Sequence, residues 1–170
     1  MLDRDDGAPH PRPCAGGRCC AGYGPVCQSR LIVNVTPSVP VGLYWIERRA
    51  SARVDFVLVA VTPKHRALAV ARGYLRQEQH LLKHIAAMDG DQVCRRGSAV
   101  WINGHIRVWL RRTDGSVRAL PGWQGCRDLR AGELFVVGTD PSSFESRYFR
   151  PIMASDVIAV TGPLWVFWQY

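Results

Sequence analysis

Two residues with chemistry to offer, a serine and a lysine, lie in constrained surroundings. Ser38 has Pro37 and Pro40 near it, and their fixed φ angles hold the backbone on both sides of the hydroxyl. Lys83 is one of two lysines among 22 basic residues, and it lies inside the apolar run 81–87. A desolvated lysine loses its proton near neutral pH, whereas arginine stays protonated. Together the two residues predict a serine–lysine hydrolase.

Each of these residues also has an ordinary structural interpretation. Ser38 alone fits an incidental serine in a proline-rich loop, and Lys83 fits an edge-strand lysine whose stem passes apolar neighbours. His84 is the rival base because it adjoins Lys83. Alternate residues of a strand share a face, so we expect Lys83 to face the side of Leu81 and Ile85 while His84 points away.

Four blocks of the sequence, taken in series, resemble those of a known enzyme family. They are Ser38-x-Pro40-x-Gly42-Leu43-Tyr44, Arg72-Gly73-Tyr74-Leu75, Lys83-His84-Ile85-Ala86-Ala87-x-x-Gly90-Asp91-x-Val93 and Ser143-Phe144-Glu145-Ser146-Arg147-Tyr148-Phe149. From about Asn34 to Pro163 the chain resembles the TraF-type pilin-processing peptidases, the conjugative branch of the S26 signal peptidases. The resemblance implies a signal-peptidase-like domain with Ser38 and Lys83 as its catalytic pair.

The resemblance also implies a mechanism. Ser38 Oγ attacks the scissile carbonyl while neutral Lys83 takes its proton and later passes it to the departing amine. The developing oxyanion needs preorganised donors, and the backbone N–H of Ser38 is one. Thr36 matches a hydroxyl that fills this role in related signal peptidases, and a plain turn residue is the alternative. Pro37 has no N–H to contribute.

The last block supplies supporting residues in the same resemblance. Ser143 matches the hydroxyl that orients the catalytic lysine in related signal peptidases. Glu145 falls where the family usually has aspartate, two residues before Arg147. Glutamate serves if this acid only pairs with Arg147, and activity is in question if it must position the lysine closely. We expect Asp91, after Gly90, to cap a turn and take no part in the chemistry.

The function implied is that of a signal-peptidase-like serine endopeptidase of a conjugative plasmid-transfer system. Its substrate would be the pilin precursor, which it trims, and the resemblance leaves open whether the trimmed pilin is released linear or cyclised. Its further partners would be the mating-pair-formation machinery and the inner-membrane surface. The implied location is the periplasm, at the outer face of the inner membrane. The alternatives are a general leader peptidase, a non-catalytic pilus-assembly component, and a cytosolic serine–lysine self-cleaving regulator. No helix-turn-helix precedes the domain, which disfavours the last.

Composition excludes several other classes. The 170 residues, 47% of them hydrophobic and 21% charged, have the balance of a single globular domain. The net charge of +8 comes from scattered arginines, with no zinc-finger spacing or glycine-rich phosphate loop, so we expect no direct nucleic-acid partner. The sequence has no cluster of metal-ligand residues, and we expect neither a metal nor an organic cofactor.

The chain divides at about residue 30. Residues 1–30 form an atypical Cys/Gly/Pro-rich leader, which lacks the basic start and apolar core of an export sequence. A wrong start or rearranged gene is the favoured explanation, and an unrecognised export route is the other. The leader holds Cys14, Cys19, Cys20 and Cys27, whose spacings match no zinc pattern. Residues 31–170 form the serine–lysine peptidase domain.

Two cysteines, Cys94 and Cys126, lie in the body of the domain. In an oxidising compartment they would form a disulfide that closes a loop of about 30 residues, worth around 3–4 kcal/mol in the chain-entropy model. Two buried free thiols are the alternative.

The hydrophobic pattern predicts a mainly β, antiparallel domain with one short helix. The predicted strands are short apolar runs bounded by turn residues: Leu31–Val35, Gly42–Ile46, Asp55–Val61, Leu81–Ala87, Ala99–Ile102, Ile106–Leu110, Glu133–Val137 and Asp156–Thr161. Asn103-Gly104 predicts a hairpin turn and Asp114-Gly115 a second reversal. The helix would begin after Thr62 and end at Gly73. The apolar tail, residues 164–168, would close the core, touch lipid or dock a partner, and core closure is the default.

Overall fold

The computed structural model describes residues 30–167, and these fold into eleven strands and two α-helices. The strands are β1 (Leu31–Asn34), β2 (Val41–Glu47), β3 (Phe56–Val59), β4 (Leu81–Ala87), β5 (Gln92–Arg96), β6 (Ala99–Ile102), β7 (His105–Trp109), β8 (Gly125–Asp128), β9 (Glu133–Val137), β10 (Ile152–Met153) and β11 (Val157–Phe167). The helices are α1 (Pro63–Ala71) and α2 (Ser146–Phe149), and a 3₁₀ turn covers Ala154–Asp156.

All strand pairs are antiparallel, and they build two sheets. The larger sheet has the order β1-β2-β11-β3-β4-β9-β10, and the smaller has the order β7-β6-β5-β8. The main core lies where side chains of both sheets meet, with Phe135 and Val137 of β9 packing near Val93 of β5 and Val100 of β6. The predicted antiparallel, mainly β fold is therefore confirmed.

The sequence-based strands agree with the structure where apolar residues are frequent. β4, β6 and β9 have the predicted bounds, and β1, β2, β3 and β7 differ by one or two residues at their ends. β11 runs past the predicted end at Thr161 to Phe167. Three strands were missed: β5 (QVCRR) and β8 (GCRD) contain few aliphatic residues, and β10 has only two residues. These strands are defined by their hydrogen bonds to neighbouring strands, and no local sequence pattern indicates them.

Besides the predicted helix the structure contains a second, very short one, α2. Its four residues, Ser146–Phe149, are too few to show helical periodicity in the sequence. The predicted helix is confirmed as α1, with Thr62 at the N-cap and Gly73, at φ 74°, just past its end. The Thr62 hydroxyl lies 2.8 Å from His65 Nδ1 and makes no capping bond to the backbone.

Both predicted chain reversals are present. Asn103 and Gly104 have φ angles of 51° and 80° and join β6 to β7, as a type I′ turn requires. The second reversal spans residues 114–118, where Asp114 N donates to Arg118 O at 3.0 Å. Asp91 accepts a bond from Met88 N at 2.8 Å, which is the turn-capping role expected of it.

The β1–β2 hairpin presents Ser38. Asn34 pairs with Gly42, so the loop of residues 35–40 projects from the end of the sheet. A side chain at Gly42 would meet the carbonyl oxygen of Trp165 in β11, and this close approach explains the glycine. The side chain of the buried Tyr44 contacts the loop, and its hydroxyl donates to Pro40 O at 2.7 Å. We call residues 35–40 the nucleophile loop.

The expectation that the tail closes the core was wrong for most of its described residues. β11 continues to Phe167, and Leu164, Trp165 and Phe167 are 61%, 68% and 60% exposed. Strand alternation places Trp165 and Phe167 opposite Val166, which packs against the cluster of Val39, Tyr44 and Leu82. Trp168 lies outside the described residues, as does the predicted leader with its four cysteines.

The smaller sheet brings the two body cysteines together. Cys94 of β5 stands directly opposite Cys126 of β8, and the structure joins their sulfurs in a disulfide. The bond links strands that the apolar pattern did not reveal.

We predict that this disulfide forms in an oxidising compartment and stabilises the protein. The double variant Cys94→Ser/Cys126→Ser should lose about 3–4 kcal/mol of unfolding free energy, because the cross-link restricts the unfolded chain. Urea unfolding measures the loss, and reductant should destabilise the parent but leave the double variant unchanged. Non-reducing peptide mapping that finds both thiols free would contradict the prediction.

Candidate active site

The nucleophile loop, β4 and the segment after β9 line one cleft of about 520 Å³. Thr36 and Ser38 come from the loop, Lys83 from β4, and Ser143 from the segment between β9 and α2. The rest of the wall is largely apolar and includes Ile32, Leu58, Val61, Leu75, Leu82 and Phe144. Ser38, Lys83 and Ser143, which are far apart in sequence, thus line the same cleft.

Lys83 is buried, and no carboxylate among the described residues contacts its amine directly. Its side chain is only 3% exposed, and Nζ donates to the carbonyl oxygen of Leu82 at 3.1 Å. Burial lowers the pKa of Lys83 to about 8, and the nearby charge of Arg147 adds to this, while Glu145 and Asp140 oppose it. An appreciable share of the amine is therefore neutral near physiological pH, as a general base requires.

Ser38 is also buried, at 9% exposure, and its hydroxyl contacts that of Thr36. The two oxygens are 3.2 Å apart. No hydrogen bond joins Ser38 Oγ to Lys83 Nζ among the described residues, although both line the cleft. Catalytic hydrogen bonds often form only when substrate is bound, so the absence of this bond in the free protein is compatible with a nucleophile–base pair.

Ser143 does not make the hydrogen bond to Lys83 that the resemblance implied. Its hydroxyl is buried and has no hydrogen-bond partner among the described residues. Burial raises the pKa of Glu145, and the nearby Ser143 hydroxyl acts in the opposite direction. Lys83 instead uses the Leu82 carbonyl. The Ser143 hydroxyl nevertheless lines the same cleft as the amine.

Glu145, just before α2, and Arg147, within α2, form a fully buried ion pair. Both Arg147 Nε and Nη2 donate to the Glu145 carboxylate, and the side chains are 0% and 2% exposed. Glu145 Oε2 also accepts from Gly138 N at 2.8 Å, and Arg147 Nη1 donates to Trp109 O of β7 at 3.1 Å. The pair thus ties the segment after β9 to the smaller sheet. Burial raises the pKa of Glu145, against the effect of Arg147.

The segment after β9 also holds the nucleophile loop in place. Thr139 N donates to Ser38 O at 2.8 Å, and its hydroxyl donates to Pro37 O at 3.2 Å. A side chain at Gly138 would meet Ser143 Oγ and would lie 2.7 Å from Ser38 O. Only glycine fits this close approach, which sequence reasoning did not anticipate.

Sequence reasoning missed a second loop contact, the buried side chain of Asn34, which bonds to several residues of the nucleophile loop. Its position immediately before a proline-flanked turn was the available indication, since asparagine side chains commonly bond to nearby backbone in turns. His84, the rival base, is not among the residues lining the cleft, and it packs near Phe56 instead.

No helix within residues 30–167 is long and apolar enough to cross a membrane. Within the same residues, no group of three or more His, Cys, Asp or Glu side chains is placed to hold a metal ion.

Comparison with known proteins identifies the family. The model of the signal peptidase family, peptidase S26, matches residues 25–166. The conjugal transfer protein TraF of Agrobacterium fabrum is 34% identical, over 79% of this chain and 82% of that protein. A plasmid transfer protein TraF of Escherichia coli is 30% identical, over 78% of this chain and 81% of that protein. This chain therefore belongs to the signal peptidase family S26, and its similarity is to the TraF conjugal transfer proteins.

Among solved structures, a signal peptidase I of Enterococcus faecalis V583 is 19% identical, covers 67% of this chain and 98% of its own, and has a TM-score of 0.39.

We predict that Lys83→Met stabilises the protein in a pH-dependent way. The folded-state pKa of about 8 lies below the ordinary lysine value of about 10.4, so the unfolded chain binds more protons between these pH values. The parent protein therefore gains stability as pH rises through that window. Below pH 8 the variant should be more stable by on the order of 3 kcal/mol, and the gap should shrink towards pH 10.

Denaturant unfolding at several pH values measures this gap. Lys64→Met, at an exposed position on α1, is the matched control and should show no comparable gap. A Lys83→Met gap that stays constant with pH would mean that the buried amine titrates alike in both states.

We also predict that Glu145→Ala is strongly destabilising, by about 3–5 kcal/mol, because it leaves Arg147 charged and buried without its partner. Glu133→Ala is the control, since Glu133 pairs with the partly exposed Arg127 and its loss should cost about 1 kcal/mol. Urea midpoints compare the two variants. Equal losses would show that the buried pair has no special weight.

Proposed function

We propose that this protein is a serine endopeptidase that processes the pilin precursor of a conjugative plasmid-transfer system through Ser38 and Lys83. The observation that carries the proposal is the buried Lys83 amine, with its pKa lowered to about 8, lining the same cleft as Ser38. Membership of a peptidase family and the similarity to conjugal transfer proteins support it.

The reaction follows from these groups. Ser38 Oγ attacks the scissile carbonyl, its proton moves to neutral Lys83, and the carbonyl π pair moves onto oxygen. Collapse of this tetrahedral species breaks the C–N bond, and Lys83 returns the proton to the leaving amine. The product is an acyl-enzyme on Ser38. The Ser38 N–H and the Thr36 hydroxyl are the proposed oxyanion donors.

Ser143, Glu145 and Arg147 support this chemistry in the proposal. Glu145 and Arg147 hold the segment that carries Ser143 and docks the nucleophile loop, and they set the field around Lys83. Because Arg147 grips the carboxylate with two donors, the extra methylene of glutamate does not prevent this pairing. Glutamate at this position is thus compatible with an active site.

The cleft fits an extended peptide with apolar side chains, given its largely apolar wall and the Ser38 hydroxyl among its lining groups. An acyl-enzyme then reacts with water, giving a trimmed linear pilin, or with the pilin's own N-terminal amine, giving a cyclic one. We place this reaction in the periplasm at the outer face of the inner membrane, beside the mating-pair-formation machinery.

The mass of the plasmid's own pilin, co-expressed with this protein, tests the proposal. The parent should yield a trimmed pilin, and a product lighter by one further water would identify cyclisation. Ser38→Ala should leave the precursor intact, and so should Lys83→Arg, because arginine cannot act as the base.

Two controls make the same chemical changes at exposed positions, Ser155→Ala and Lys64→Arg, and both should process normally. Trimming by Ser38→Ala or Lys83→Arg would refute the assigned pair. A linear trimmed product would define a plain leader peptidase, and an intact precursor with the parent protein would favour a non-catalytic assembly component.

A further inference from the structure

The side chain of Asn34 occupies the centre of the nucleophile loop. Asn34 is the last residue of β1 and is only 6% exposed. The two hydrogens of its amide nitrogen are shared among three carbonyl oxygens, Thr36 O at 2.8 Å, Val39 O at 3.0 Å and Pro40 O at 3.1 Å. These carbonyls lie on both sides of Ser38, so one amide group closes the turn around the nucleophile.

The amide oxygen of Asn34 fixes Thr36. Asn34 Oδ1 accepts from Thr36 N at 3.2 Å and from the Thr36 hydroxyl at 2.9 Å. A threonine hydroxyl has a single hydrogen. Because that hydrogen is directed to Asn34, the contact of 3.2 Å between Thr36 Oγ1 and Ser38 Oγ has Ser38 as its donor.

In the free enzyme the serine and the lysine do not bond to each other. The Ser38 proton is directed to Thr36, and the Lys83 amine is directed to Leu82 O. The serine and the lysine are thus each held by another group, and neither the Thr36 N–H nor its hydroxyl hydrogen points into the cleft.

We propose that Asn34 is a positioning residue for the nucleophile, acting through Thr36. It holds the Thr36 hydroxyl as an acceptor for Ser38 in the free enzyme and as a donor in reserve for the oxyanion. The inference rests on the proposed function, since it concerns the same serine.

The proposed sequence of events conserves every proton. On attack, the Ser38 hydrogen turns from Thr36 to Lys83 Nζ and is transferred there as the Oγ–C bond forms. The Thr36 hydroxyl has then lost its incoming bond, and its hydrogen turns from Asn34 Oδ1 to the developing oxyanion. Asn34 Oδ1 keeps the bond from Thr36 N throughout. Asn34 therefore sets how readily the Thr36 hydroxyl is released.

A double-mutant cycle tests whether Asn34 acts through Thr36. The probe is an alkyl fluorophosphonate, and the readout is the second-order rate constant for labelling Ser38. We expect Asn34→Ala and Thr36→Val each to lower this constant by about 10- to 100-fold. In the Thr36→Val background the effect of Asn34→Ala should be clearly smaller than in the parent, because the part carried by the Thr36 hydroxyl is already lost, while the bonds to Val39 O and Pro40 O are lost in both backgrounds. Effects that multiply in full would overturn the inference.

The pH profile separates positioning from a general structural role. Labelling of the parent should rise with pH around a midpoint near 8, the pKa of Lys83. Asn34→Ala should lower the plateau and leave the midpoint unchanged, because Asn34 does not contact the amine. A shifted midpoint would show that the substitution disturbs the surroundings of Lys83, and it would overturn the proposed route through Thr36.

Hydrogen exchange of the side-chain amides supplies a readout that needs neither catalysis nor a variant. In ¹⁵N-labelled parent protein the Asn34 amide hydrogens should exchange slowly, since all of their acceptors lie in the loop, while those of the exposed Gln124 exchange fast. Fast exchange at Asn34 would overturn the inference. If the parent fails to label at Ser38, the proposed function fails, and the exchange rate still decides whether Asn34 fastens the loop.

Discussion

The burial of one lysine amine is the constraint on which the rest of this structure depends. An ammonium group loses most of its hydration at 3% exposure, and within residues 30–167 the Leu82 carbonyl is the one hydrogen-bond partner of the Lys83 amine. The amine responds by giving up its proton more readily, with a pKa lowered to about 8. Burying this amine lowers the free energy of unfolding at neutral pH, and such a perturbed pKa is typical of a site that transfers protons.

Two buried polar groups hold the reactive residues around that amine. The Glu145–Arg147 pair anchors the segment after β9, and Asn34 gathers the nucleophile loop from the other side. Thr139, in the segment after β9, connects that segment to the nucleophile loop by its hydrogen bonds to Ser38 O and Pro37 O. Neither the Glu145–Arg147 pair nor Asn34 contacts the Lys83 amine through a hydrogen bond, yet together they fix the segments that line its cleft. Orientation of this kind is a large part of enzymatic rate enhancement.

The sequence predicted the parts of this arrangement that depend on local chemistry. Prolines around Ser38, the apolar run around Lys83 and the Asn103-Gly104 turn each restrict a short segment, and the structure has the loop, strand and turn that they indicate. It did not predict β5 and β8, which exist through pairing with distant strands, or the exposure of Trp165. The contacts of Gly138 also require knowledge of which segments approach each other. The roles of the catalytic pair and of its supporting residues remain predictions.

The most direct test of the central claim is the pKa of Lys83, measured by NMR titration of ¹³C-labelled lysine. The protein has only two lysines, so the spectrum contains two side-chain resonances, and Lys64→Arg assigns them. The burial of Lys83 predicts a titration midpoint near 8 for its resonance. A midpoint at the ordinary lysine value of about 10.4 would contradict the account, because the amine would then be almost fully charged at neutral pH and unable to accept the proton of Ser38.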